Sequence, residues 1–179
     1  MAPSARSPLL GTLASAQPLR EWELCALGRC APVRVPSAWE DYGIPRAYEG
    51  PCDYRCTFEA TPQSGRRYWL HFGGVSYEAQ GFLNDVPLGA HTGIWDSFCW
   101  EITDALRAGA NDLRVQVIKN GGATYPVPQV LSGFLPYVSC SFGGLWQPVY
   151  MLETGDAWLC DVWVRGEADG RVVVQGVLA

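Results

Sequence analysis

Arg67-Tyr68-Trp69-Leu70-His71-Phe72-Gly73-Gly74-Val75-Ser76-Tyr77-Glu78-Ala79 reads in two halves. In the first, Tyr68, Leu70 and Phe72 alternate with Trp69 and His71, the period of two expected of a strand with one buried face. Gly73-Gly74 then lets the chain turn sharply, since a residue without Cβ reaches backbone angles closed to others. A second strand-like run follows from Ala79 to Asn84. The same alternation extends in both directions. Upstream, Tyr54, Cys56 and Phe58 alternate with Arg55, Thr57 and Glu59; Glu21 to Ala26 alternates polar and apolar; and Val33-Arg34-Val35-Pro36 is a short extended piece. Downstream, Phe98, Trp100 and Ile102 alternate with Cys99, Glu101 and Thr103, and Leu113, Val115 and Val117 with Arg114 and Gln116. This density of period-two segments predicts packed sheets, with Tyr54, Phe58, Leu70, Phe72, Leu83, Trp100, Leu113 and Val115 in one core.

The punctuation between these runs fixes the rest. Asn84-Asp85 is a turn. Thr103 can cap one helical turn over Asp104 to Ala108, ended by Gly109. From Lys119 to Gly144 the period is lost, and a loop of that size in a compact domain is usually functional or poorly ordered. Order resumes near Leu145 to Leu152, with Pro148 demanding an edge or a bulge. Beyond Gly155, Trp158, Cys160, Val162 and Val164 alternate with polar residues, a turn follows at Gly166 to Gly170, and Arg171 to Val177 reads as the return strand. The expected architecture is all-β: a flexible tail over 1–17, a jelly-roll β-sandwich over 18–154, and over 155–179 the first hairpin of a second, truncated sandwich. An isolated hairpin is marginal in water, so this one is expected to fold back on the first domain, pair with another copy, or stay disordered.

Composition excludes several classes of function. The 179 residues carry 13 Lys+Arg against 18 Asp+Glu, a net charge of −5, and a general nucleic-acid binder needs a basic face instead. Hydrophobic residues make up 48% and charged residues 17%, which rules out wholesale disorder. No apolar run approaches the roughly 18–20 residues that span a bilayer. Seven cysteines, an odd number, leave at least one thiol free in a monomer. Cys56 and Cys99, inside strand-like runs, read as small buried thiols. No C-x-x-C occurs and neither His71 nor His91 neighbours a cysteine pair, so spacing supports no metal site. Buried thiols make a reducing cytoplasm the expected location; the N-terminal run Pro8 to Leu13 with Ala14-Ser15-Ala16 leaves secretion as a weakly supported alternative, because the run is short and broken for a secretory leader.

Little in the chain points to catalysis. There is no G-x-S-x-G, His71 reads as a sheet-face residue, and His91 as a loop residue bonded to local backbone. Glycoside hydrolysis needs two carboxylates about 5–9.5 Å apart. Glu49, Asp53, Glu78, Asp85, Asp96 and Glu101 are all available, but spacing pairs none of them. Gly73-Gly74 and Gly121-Gly122 lack the Lys-Ser/Thr and helix of a phosphate loop, and no cofactor is indicated. The aromatic residues remain. With eight Trp and eight Tyr, flat apolar partners with polar tips are plentiful, which suits the C–H face of a sugar ring. Trp22 and Trp100 alternate as core residues; Trp39 and Trp95, in Gly/Pro-rich connections, are the two expected to face a ligand or a neighbouring domain.

The opening stretch also resembles the N-terminal sugar-binding domain of glycoside hydrolase family 2. The likeness runs on through Leu83-Asn84-Asp85-Val86-Pro87-Leu88-Gly89, Phe98 to Thr103, Gly109 to Val117 and Gly143-Gly144-Leu145-Trp146-Gln147-Pro148-Val149-Tyr150, over about residues 19–153. Where the family usually has Asn-Gly, this chain has Asn84-Asp85. The resemblance implies a galactose-binding-domain-like sandwich followed by an immunoglobulin-like sandwich and a catalytic TIM barrel, which carries the family's two catalytic glutamates. It thus implies a non-catalytic accessory domain whose partners are carbohydrate and the barrel, in an enzyme acting on β-galactosides, β-glucuronides or β-mannosides. A free-standing carbohydrate-binding module is the alternative, and a homo-oligomer stays open. The resemblance places the 119–143 connection toward the barrel, with Asn120 nominated to touch substrate or an ion and Tyr125 as an aromatic of the same surface.

Overall fold

The computed structural model describes residue 8, residues 15–119 and residues 142–179. Its strands are β1 (Ser15–Pro18), β2 (Glu21–Ala26), β3 (Arg29–Arg34), β4 (Cys52–Ala60), β5 (Arg67–Phe72), β6 (Glu78–Leu83), β7 (Val86–Thr92), β8 (Phe98–Glu101), β9 (Gly109–Ile118), β10 (Val149–Thr154), β11 (Leu159–Gly166) and β12 (Val172–Leu178). A six-stranded sheet in the order β3-β2-β4-β9-β6-β7 faces a four-stranded sheet in the order β1-β10-β5-β8, and β11-β12 form a separate pair. All the strand pairings are antiparallel. The chain is therefore an antiparallel β-sandwich in its main part.

Alternation built this core as expected. Along β4 and β9 every second side chain is buried, so Tyr54, Phe58, Leu113 and Val115 meet Leu70, Phe72 and Trp100 from the opposite sheet. Phe72, Phe98 and Trp100 pack as three rings with centroids 5.0 Å apart. Gly81 in β6 lies under the Trp100 ring so closely that any Cβ there would overlap it. Between β6 and β7 the Asn84-Asp85 turn has both residues at positive φ, 51° and 68°, the two-residue hairpin geometry that matches strand twist. Asn84 Nδ2 donates to Asn111 Oδ1 and to the Ala105 carbonyl, while Asn84 Oδ1 accepts from the Asp112 N–H. Fully buried Asn111 holds the Arg107 N–H and the Arg107 and Gly109 carbonyls, so one side-chain network returns the chain into β9.

Four features differ from the sequence reading. Ser15 to Gln17, assigned to a tail, pair with β10 as part of β1. The helical turn expected after Thr103 is only a turn: Ala105 and Leu106 both donate to the Ile102 carbonyl, and Thr103 Oγ1 accepts from the Tyr68 N–H instead of capping a helix. A short 3-10 helix, Trp39–Tyr42, stands in the connection before β4 and is closed by Gly43 at φ 83°. Finally, Trp69 is fully buried although it alternates with core residues, because a second cluster lies on the outer face of the four-stranded sheet. There Trp69, Cys99 and Leu152 are covered by Trp158 and Cys160 at the start of the β11-β12 hairpin. The hairpin folds back in this way but does not extend either sheet of the sandwich.

Candidate functional site

Lys119, one residue past the end of β9, and Phe142 flank residues 120–141, and the side chains at these two points are both anchored on the sandwich. The inward phase of β9, at 113, 115 and 117, continues to 119 just past the strand's end, which brings the chain's only lysine into the interior. A buried ammonium needs a partner, because desolvation otherwise drives the charge away. Lys119 Nζ donates to Glu40 Oε1 at 2.9 Å and to the Arg46 carbonyl, and lies 5.7 Å over the Trp39 ring. The other carboxylate oxygen, Glu40 Oε2, accepts the Gly143 N–H at 3.1 Å. One glutamate on the 3-10 helix thus binds both roots of the segment.

The returning strand is held on its other side by Ser76, fully buried, whose Oγ donates to the Phe142 carbonyl at 2.6 Å and whose backbone exchanges both hydrogen bonds with Gly144. Trp39 N–H donates to the Gly143 carbonyl and Ser37 N–H to the Leu145 carbonyl. Gly143 packs flat on the Trp39 ring, and Gly144, at φ 107°, sits against the Tyr54 hydroxyl; neither position admits a Cβ.

A second, aromatic wall rises beside this polar root. Trp95, Phe142 and Trp146 meet edge to face, with Trp95 5.4 Å from Trp146 and Phe142 5.4 Å from Trp146. Trp146 Nε1 donates to the Ile94 carbonyl, which fixes its ring, whereas Trp95 remains 59% exposed. Next to it, His91 stacks on Phe98 with centroids 3.9 Å apart, and its Nε2 lies 3.6 Å from Asp96 Oδ2. Burial lowers the His91 pKa and Asp96 opposes that shift. His91 lies in β7, not in the loop expected for it.

The electrostatics under the root follow from burial. The Cys52 thiol is pushed up to about 12 by desolvation, with Asp53 and Glu40 adding to the shift and Lys119 opposing it. Tyr54 is likewise raised, first by burial and then by Cys52. Among the described residues, the buried side-chain polar atoms with no hydrogen-bond partner are Trp39 Nε1, the Tyr54 hydroxyl and His91 Nε2. Away from this region, a broad depression crosses the outer face of the six-stranded sheet past Glu23, Arg55, Thr57, Phe82, Asp112 and Arg114. Its charges are partly spent on one another: Arg114 covers the Phe82 ring and reaches Asp53, and Thr57 bonds Asp112. Among the described residues one group of side chains has ligand atoms close enough to share a metal ion: Glu23, Cys25 and Cys30.

The four nominated residues fare differently. Trp39 is wholly buried and presents no ring face to a ligand; the Gly/Pro-rich connection around it curls into the 3-10 helix and tucks the indole beneath Lys119 and Gly143. Trp95 is exposed beside the root. Asn120 and Tyr125 lie outside the described residues. The Glu40–Lys119 pair and Ser76 escaped the sequence reading, although one signal was present: a lysine in phase with Leu113, Val115 and Val117 had to be an inward cation.

The family described as glycosyl hydrolase 2 galactose-binding domain-like matches residues 46–151. A β-glucuronidase of Bacteroides fragilis is 32% identical over 115 residues, 64% of this chain and 15% of that protein. A β-galactosidase of Actinobacillus pleuropneumoniae is 24% identical over 158 residues, 78% of this chain and again 15% of the relative. Among solved structures, a β-glucuronidase from an uncultured Clostridium superposes with a TM-score of 0.75 at 21% identity, over 98% of this chain and 35% of that one. The chain thus spans about a seventh of the length of the curated relatives it matches.

Proposed function

The chain belongs to the glycosyl hydrolase 2 galactose-binding-domain-like family, and from that premise we propose that it is the non-catalytic accessory sandwich of a β-glycosidase. In this reading it braces a catalytic barrel and forms one wall of the sugar pocket, in an enzyme that removes terminal β-galactosyl, β-glucuronyl or β-mannosyl groups. The observation that carries it is the doubly anchored root at Lys119 and Phe142. The molecule commits its only lysine, a half-buried glutamate and a buried serine to fixing both ends of a segment, the arrangement expected where a loop must be presented to something else. Trp95, exposed beside that root, supplies an apolar face for a sugar ring or for the neighbouring domain, and Asn120 and Tyr125 are nominated with it from the sequence.

A free-standing carbohydrate-binding module would use the same exposed Trp95. Calorimetric titration of this chain with galactose, glucuronate and mannose, together with aryl-glycoside assays of the longer gene product, separates the two readings. The accessory reading expects no turnover and negligible sugar affinity from the chain alone, and a raised KM in the longer protein after Trp95→Ala. Sugar binding by the chain alone, abolished by Trp95→Ala, would establish the module instead. Hydrolysis by the chain alone, lost on one carboxylate substitution, would overturn both.

A further inference from the structure

The β2-β3 hairpin turns through Leu27 and Gly28, both at positive φ, 53° and 74°, with Ala26 opposite Arg29 as the closing pair. The next pair along is Cys25 opposite Cys30, which in a two-residue hairpin is a non-hydrogen-bonded pair, where side chains approach most closely and leave by the same face. The structure joins them as a disulfide, with Cα atoms 4.1 Å apart. Glu23 lies two residues before Cys25 and so projects from that face too, and its Oε2 is 3.7 Å from Cys25 Sγ. The three ligand atoms all lie within 4.8 Å of one another, and Glu23 and Cys30 are exposed.

We propose that, once the Cys25–Cys30 bond is reduced, Glu23, Cys25 and Cys30 form a site for one thiophilic divalent ion, zinc or cadmium. A dithiol or phosphine reductant supplies the two electrons that break the S–S bond, itself becoming a disulfide or phosphine oxide, and two thiols result. Binding then replaces the two thiol protons with the ion, and these protons pass to solvent. The geometry fits a tetrahedral centre. Zn–S bonds of about 2.3 Å and Zn–O bonds of about 2.1 Å place sulfur and oxygen about 3.6 Å apart, against the 3.7 Å between Cys25 Sγ and Glu23 Oε2. Only the two sulfurs need to separate, which rotation about their Cα–Cβ bonds supplies without moving a strand. Water takes the fourth position on the solvent side. On β4, Arg55 stands opposite Glu23 and Asp53 opposite Cys25, so the neighbouring strand brings one charge of each sign to the site. The hairpin tip is therefore covalently stapled under oxidising conditions and an ion site under reducing ones.

The test is titration of the phosphine-reduced chain with cadmium, read by the ultraviolet thiolate-to-metal charge-transfer band, and with zinc against a chromophoric competitor, counting protons released. The expected result is saturation at one ion per chain with two protons released, no band in the oxidised chain, and loss of the band in the Cys25→Ser, Cys30→Ser double variant. Glu23→Gln, an exposed change, keeps the fold and should weaken binding by more than the roughly tenfold that loss of an outer-shell partner costs. No uptake by a reduced chain of unchanged far-ultraviolet dichroism would overturn the site. So would a full band in the double serine variant, which would place the ion on other thiols, or an unchanged affinity in Glu23→Gln.

Discussion

Lys119 shows at the scale of one residue how the fold and the candidate site share their parts. Its side chain is 3% exposed and that of Glu40 is 13% exposed, so removing the cation leaves a carboxylate largely out of water with one backbone donor. Lys119→Met is expected to lower unfolding free energy by about 3–5 kcal/mol, the range for breaking a buried pair from one side. Adding Glu40→Gln should restore part of that loss, since it removes the stranded charge; urea unfolding of the two variants measures both effects. The histidines supply a pH dependence. Burial lowers the pKa of His71 and of His91 below their ordinary 6.5. Below that value the unfolded chain therefore binds more protons than the folded one, and stability rises with pH. It should be fully present above about 6.5 and be lost as pH falls through the folded-state values. A denaturation-midpoint series across that interval checks the sign, and His71→Gln with His91→Gln should flatten it.

Among the elements, the β11-β12 hairpin has the most to add. Taken alone, its alternation describes a strand pair with one apolar face and nothing to cover it. The structure divides that face. Trp158 and Cys160 turn inward onto Trp69, Cys99 and Leu152, with the Trp69 and Trp158 rings 4.9 Å apart and the Arg67 guanidinium 5.3 Å over Trp158. A register shift between Cys160 and Trp163, with Asp161 at φ 50°, separates this docked end from Trp163, Val164, Val172 and Val174, which stay exposed. Trp158→Ala should cost about 3 kcal/mol and speed alkylation of Cys99, which it covers; unchanged thiol reactivity would detach the hairpin from the sandwich. The sandwich strands were legible because one face was wet and one dry. Leu70→Ala, at a fully buried position in register with Trp100, is expected to lose about 2–5 kcal/mol in the same unfolding assay. Trp69 was not legible, because a strand covered on both faces has no polar side to alternate with.

Across the whole molecule, what sequence could convey was set by the reach of each interaction. The sandwich and the Asn84-Asp85 turn rest on local chemistry and repeat patterns, and each appears where the residues placed it. The root of the 120–141 segment joins residues about 80 to 100 positions apart, Glu40 with Lys119 and Gly143, and no spacing rule connects them. Trp39 misled for the same reason: a Gly/Pro-rich setting signals a connection but not which way its side chains point.

With a single lysine held inside, every side-chain cation the molecule offers to water is a guanidinium. An endoprotease that cuts only after lysine therefore has one peptide bond to attack, and the residue it must grip is withheld by Glu40. Native chain should resist such an enzyme and then yield two fragments, at a rate set by how often the root opens. Glu40→Ala should accelerate that cut well beyond its effect on global unfolding. The protein thus carries its own single-site clock for the opening of one joint, readable on a gel without any added probe.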